Sequence, residues 1–137
     1  MKYFLSAVLL CCSLPAMAQA NKIPSAAEIK SQTPAELAKT ALDLEQALVL
    51  QPGNGELYEK LGFVYTRLHR IDDAQKAFES AARLEPKEPI IHYMLGLIYE
   101  KKGLKPQAVA AWKACLDNAP NDHMRETAIK HLNNLKQ

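Results

Sequence analysis

From Thr33 onward the apolar residues of this chain fall at intervals of three and four. Leu37, Ala41, Leu44 and Leu48, with Ala47 beside them, make one stripe, and its period is that of an amphipathic helix. Thr33-Pro34-Ala35-Glu36 gives that helix a start: a hydroxyl cap, a proline at the first helical position and a glutamate to return the bond. It runs to about Leu50. The same periodicity predicts helices over Glu56–Leu68, Asp72–Leu84, Pro89–Lys102 and Pro106–Asn118. Asn121-Asp122 caps a last helix to about Lys136, striped by Met124, Ala128, Leu132 and Leu135 with Ile129 alongside. Upstream, Ser25-Ala26-Ala27-Glu28 is a further capping-box pattern in an otherwise weak segment. The alternation that marks a strand is missing, so the pattern predicts an all-α chain.

The stripes recur with a fixed period. Leu61-Gly62 returns as Leu95-Gly96, Tyr65 as Tyr99, Ala74 as Ala108 and Pro86 as Pro120, each 34 residues on, and Pro52 precedes Pro86 by the same interval. With units at Gly55–Glu88 and Pro89–Asp122, the first holds Tyr58, Leu61, Gly62, Tyr65, Ala74, Phe78, Ala81 and Pro86. The second holds His92, Leu95, Gly96, Tyr99, Ala108, Trp112, Cys115 and Pro120 at the same places. This resembles the tetratricopeptide repeat, a pair of antiparallel helices. The resemblance implies that the eighth-position glycine lets two helix backbones approach, with aromatic residues filling the space between helices. Two departures stand out: Tyr58 and His92 replace tryptophan at the fourth position, and His69 replaces the turn glycine present as Gly103.

The implied architecture is a short right-handed solenoid of antiparallel helix pairs, about two full units plus flanking helices. Within residues 33–52, Thr40 to Pro52 align with Ala74 to Pro86 and Ala108 to Pro120, which makes this segment the second helix of a degenerate repeat; its first helix is missing, because Pro24, Ala27 and Glu28 break the pattern. Residues 55–88 and 89–122 are the two units. Residues 123–137 depart from the register, with Lys130 in the glycine place and Asn133 in the tyrosine place, and read as a capping helix. Residues 21–32 form a leader.

Residues 1–20 read differently. Lys2, the apolar stretch Tyr3–Leu14, Pro15 and the small-x-small sites Ala16-Met17-Ala18 and Ala18-Gln19-Ala20 make a secretory signal peptide of bacterial style, cleaved after Ala20 or else after Ala18. The stretch is too short for a stable membrane anchor. Cys11 and Cys12 lack the small preceding residue that lipid attachment needs, and are read as apolar filler. The expected location is the periplasm of a Gram-negative bacterium, or the exterior. Cleavage takes Lys2 from the 17 basic residues, leaving 16 against 15 acidic ones. That balance does not point to nucleic acid or to an anionic membrane surface. Cys115 is then the one cysteine left, and the fold relies on its core rather than on disulfides.

Catalytic and metal patterns are absent from the sequence: HExxH, CxxC and glycine-rich phosphate loops do not occur. His92 falls on a core position, His69 and His131 read as solvated, and Cys115 stands where a small packing residue belongs. A remote alternative groups His92, His123 and Cys115 as an enzyme or metal site; the reading adopted has no catalytic residue, no metal and no cofactor. Asp72-Asp73 marks a helix start.

The resemblance places positions 2, 5, 9, 12 and 13 of each unit on a concave face. Here they are Glu56, Glu59, Phe63, Thr66 and Arg67, then Ile90, Tyr93, Leu97, Glu100 and Lys101. Lysine and asparagine at positions 5 and 9, which grip a terminal carboxylate in one mode of the family, are replaced by Glu59, Phe63, Tyr93 and Leu97. The expected partner-binding residues are Glu59, Phe63, Arg67, Ile90, Tyr93, Leu97 and Lys101, an apolar strip with charges at its rim that suits a helix or an extended apolar peptide of another protein. The same strip could instead be covered by the terminal helix or by a second copy in a homodimer. The expected role is an adaptor in a bacterial envelope assembly; pilus assembly, cytochrome maturation and outer-membrane biogenesis are pathways the resemblance allows without choosing.

Overall fold

The computed structural model describes residues 23–136. The expected signal peptide, its cleavage sites and Cys11 and Cys12 lie outside the described residues. Among these residues the order is α1 (Ala26–Ser31), α2 (Pro34–Leu50), α3 (Gly55–Arg67), α4 (Ile71–Leu84), α5 (Pro89–Lys101), α6 (Lys105–Asp117) and α7 (Asp122–Leu135), with no strand. Each helix from α2 to α7 packs on its neighbours in chain order, as a solenoid of helix pairs requires.

The local signals explain the helix ends. Ser25 with Glu28 and Thr33 with Glu36 close reciprocal capping boxes, and Asn54 and Asn121 accept bonds from the Leu57 and Met124 amides. The turns inside the two pairs repeat one another. His69 (φ 58) and Gly103 (φ 71) take the left-handed conformation that ends a helix. In each turn the next amide reaches back to a tyrosine carbonyl: Arg70 N–H to Tyr65 O at 2.9 Å, Leu104 N–H to Tyr99 O at 2.8 Å. His69 thus performs the glycine's task in the first unit at the cost of a crowded side chain.

The core follows the repeat. Leu57, Leu61, Val64, Ala74, Ala77, Phe78 and Ala81 are buried in the first pair, and Ile91, Leu95, Ile98, Ala108, Ala111, Trp112 and Cys115 in the second. One detail differs from the sequence reading. The helices meet at Gly62 and Gly96 not backbone to backbone but through an aromatic ring. A Cβ on Gly62 would lie 2.8 Å from the Phe78 ring, and one on Gly96 2.6 Å from Trp112. The glycine is therefore the socket for the aromatic of its own pair. The leader forms the short helix α1 at its expected capping box, and α1 rests on α3.

Tyrosine tips also repeat. The Tyr65 hydroxyl donates to Glu45 and the Tyr99 hydroxyl to Glu79, at 2.8 Å, each joining a unit to the second helix of the unit before it. Burial, reinforced by the accepting carboxylate, pushes the Tyr65 hydroxyl up to about 12 and Tyr99 in the same direction. Arg70 lies over the Tyr65 ring at 4.5 Å. The series ends at α7, where Asn133 stands in the tyrosine place.

Candidate partner-binding groove

The seven residues expected on the concave face fall into two groups. Glu59, Phe63, Arg67 and Ile90 line one cavity of about 400 Å³, together with Thr66 and with Ala26, Ile29 and Lys30 of α1. Phe63 is anchored from behind, edge-on to Phe78 with centroids 5.3 Å apart, so its exposed side presents a fixed apolar surface. Ile90 faces it from α5 across the repeat boundary.

Arg67 has a further task beside its place on the cavity wall. Its guanidinium donates to the carbonyls of Ile29 (3.2 Å), Lys30 and Gln32 (3.4 Å) at the C-terminal end of α1. Arg67 thereby pins α1 as one wall of the cavity. No local pattern signals this, because 38 residues separate Arg67 from Ile29.

Glu59 is half-buried on the cavity wall. Burial, then the like charges of Glu88 and Glu56, hold its carboxyl above the usual range. An acid whose pKa is higher folded than unfolded costs stability once ionised, so the penalty grows as pH rises through that range and disappears below it. Glu59→Gln is expected to raise the melting midpoint at pH 7, and the gain should vanish by about pH 4, near the unperturbed carboxylate range. Thermal melts of both proteins across that interval check it; an undiminished gain at low pH would mean that charge is not the cause.

The second group is Tyr93, Leu97 and Lys101. Tyr93 meets Trp112 edge-on at 5.2 Å, and Tyr93 and Leu97 pack on the cluster of Ala108, Trp112, Cys115 and Ala128, the last from α7. Met124, Leu132 and Leu135 of α7 join the same cluster. The terminal helix therefore shares the packing of the Tyr93–Leu97 side, while Lys101 is exposed. His131, expected in solvent, is half-buried: its ring stacks on Trp112 at 4.2 Å and its Nδ1 lies 2.9 Å from Glu100 Oε1. The Trp112 indole N–H donates to that same oxygen at 2.7 Å. His131 sits 34 residues after Leu97, at the ninth position of a third unit, and that register was the available signal for its inward placement.

His92 Nε2 lies 2.7 Å from the Pro86 carbonyl, Cys115 is fully buried with its thiol pushed up by burial, and His123 is exposed. Among the described residues no group of three His, Cys, Asp or Glu side chains is placed to hold a metal ion. No helix among them is long and apolar enough to cross a membrane.

Residues 60–123 match the tetratricopeptide repeat family. With the 34-residue register and the paired helices, that match shows that this repeat region belongs to the family. BBSome complex member BBS4 of Bos taurus is 31% identical over 70 residues, 51% of this chain and 14% of that protein. The general transcriptional corepressor ssn6 of Schizosaccharomyces pombe is 30% identical over 113 residues, 80% of this chain and 9% of that protein. The chain thus spans a small part of the length of these relatives. Among solved structures, the type III secretion translocator chaperone SycD of Yersinia enterocolitica is similar with a TM-score of 0.67 at 15% identity, over 74% of this chain and 73% of that one. SycD in complex with a peptide of the translocator YopD gives the same TM-score and identity over 81% of its chain. At that identity the likeness is one of fold.

Proposed function

We propose that this protein is a non-catalytic adaptor that binds a helix or extended segment of another protein in the cavity between α1, α3 and α5. The observation that carries the reading is the cavity itself. Rigid apolar walls (Phe63, Ile90, Ile29) stand beside a desolvated carboxylate, Glu59. An apolar side chain fills such a site while a neighbouring lysine or arginine neutralises Glu59, so the fitting segment carries an apolar residue next to a basic one. SycD, similar in fold, is seen with a peptide of its partner, which agrees with a segment-binding role. An exported, envelope location is part of the proposal and rests on the signal-like residues 1–20.

Photo-crosslinking in cells tests it. A photoreactive residue replacing Thr66 on the cavity wall is expected to capture a discrete partner, whereas the same residue at exposed Lys113 on α6 is not. Adding Ile90→Lys should reduce the Thr66 capture at least about tenfold, since it brings a charge into an apolar contact. Equal capture from both positions, or capture indifferent to Ile90→Lys in a protein of unchanged helicity, would place binding elsewhere.

A further inference from the structure

The cavity between α1, α3 and α5 is charged at both ends and apolar between them. Its lining holds three charged side chains, Glu59, Lys30 and Arg67. Arg67 is spent on the carbonyls at the end of α1. Neither the Glu59 carboxylate nor the Lys30 ammonium has a hydrogen bond or an ion pair among the described residues. Lys60, next to Glu59 in the chain, is bonded to Glu56 at 2.7 Å. The two unpaired charges stand apart. Glu59 lies eight residues before Arg67 on α3, a rise of about 12 Å along the helix. Lys30 belongs to the Arg67 end, because the Arg67 guanidinium holds the Lys30 carbonyl. Phe63 sits midway between Glu59 and Arg67 on α3, with Ile90 across from it. Helix-end electrostatics account for neither charge. Glu59 is past the first turn of α3, where the pull of the helix dipole on an anion has faded, and Glu56, Glu85 and Glu88 add like charge. The end of α1 that would favour a cation is already met by Arg67, so Lys30 brings a second positive charge there.

We infer that the segment bound here is extended and bipolar, with a lysine or arginine, an apolar residue and an aspartate or glutamate at alternate positions. This rests on the binding proposed for the cavity and adds the charge order and the spacing. Alternate side chains of an extended chain point the same way, and a run from its first to its fifth residue spans about 13 Å at about 3.3 Å per residue. That matches the separation of the two charged ends, with the middle residue opposite Phe63 and Ile90. A helix would need about eight residues for the same span, and so short a run is not helical before it binds. The base pairs with Glu59, which is half-buried and therefore weakly screened. The acid pairs with Lys30 in solvent and contributes less. A segment basic at both ends would meet Lys30 with like charge, and one acidic at both ends would do the same at Glu59.

Titration of the isotope-labelled full chain with short synthetic peptides provides the test, read from the amide resonances of Phe63, Thr66 and Ile90. The central runs are Lys-Ser-Leu-Ser-Glu, Lys-Ser-Leu-Ser-Lys and Glu-Ser-Leu-Ser-Glu, each between glycine-serine flanks. The bipolar peptide is expected to bind tightest. It should exceed the doubly basic one about fivefold, as an exposed charge contact allows, and the doubly acidic one at least about tenfold. Lys30→Glu, at an exposed site, should invert the first difference, so that the doubly basic peptide binds best. Glu59→Lys should likewise favour the doubly acidic peptide. Both variants should keep the helicity of the wild type. Shifts at the three amides without this order, or an order that Lys30→Glu leaves unchanged, overturn the inference while the cavity stays a binding site. A bipolar peptide that shifts none of these amides overturns it as well, and capture through Thr66 in cells then judges the cavity by itself.

Discussion

Gly96→Leu is expected to cost more than about 2 kcal/mol of stability, in the range of severe overpacking. Already a Cβ at Gly96 would lie 2.6, 2.8 and 2.9 Å from three atoms of the Trp112 indole, well inside contact. The ring has no easy retreat. Its N–H is tied to Glu100, one face is stacked on His131 and Tyr93 meets it edge-on. Gly62→Leu should be severe for the same reason, its Cβ lying 2.8 Å from a fully buried Phe78. Lys87→Leu, in the exposed turn between α4 and α5, should cost little. Urea midpoints of the three variants decide the matter, and similar midpoints for Gly96→Leu and Lys87→Leu would contradict the socket.

Much of this architecture was legible because the repeat is local information stated twice. Every helix from α2 to α7 begins and ends within a residue or so of its predicted bounds, since caps, prolines and stripes all act over a few neighbours. The capping box at Ser25 likewise found its helix. What escaped were contacts between distant positions. The glycine sockets were legible as close approach but not as glycine against aromatic ring, which depends on how α3 and α4, or α5 and α6, lie across each other. Arg67 could be placed on the concave face by register, yet its use as a cap for α1 depends on a leader that follows no repeat. His131 was misread because Lys130 and Asn133 break the pattern on either side of it. A capping helix keeps the register while changing the residues, and His131 keeps the ninth position. Leu42 and Val49 on α2 stand outside the stripe read from the sequence, and the packing leaves both exposed.

Trp112→Ala is expected to be more damaging still, at about 3–5 kcal/mol, as for other fully buried aromatic truncations. Trp112 is the largest fully buried side chain, and two other helices, α5 and α7, depend on it. It fills the socket of Gly96 in α5, receives the edge of Tyr93, and holds α7 through the His131 stack and the shared Glu100 carboxylate. Its loss leaves a cavity, deprives Glu100 of a donor and removes the surface on which α7 rests. In a solenoid each pair leans on its immediate neighbours, so the damage should be graded along the chain rather than uniform. Hydrogen exchange is expected to show lost protection in α5, α6 and α7, while amides of α3 and α4, whose core around Phe78 continues into α2, stay protected. Phe78→Ala should reverse the gradient, exposing α3 and α4 first. A uniform loss of protection in both variants would mean that the chain unfolds as one cooperative unit, with the two clusters too strongly coupled to fail separately.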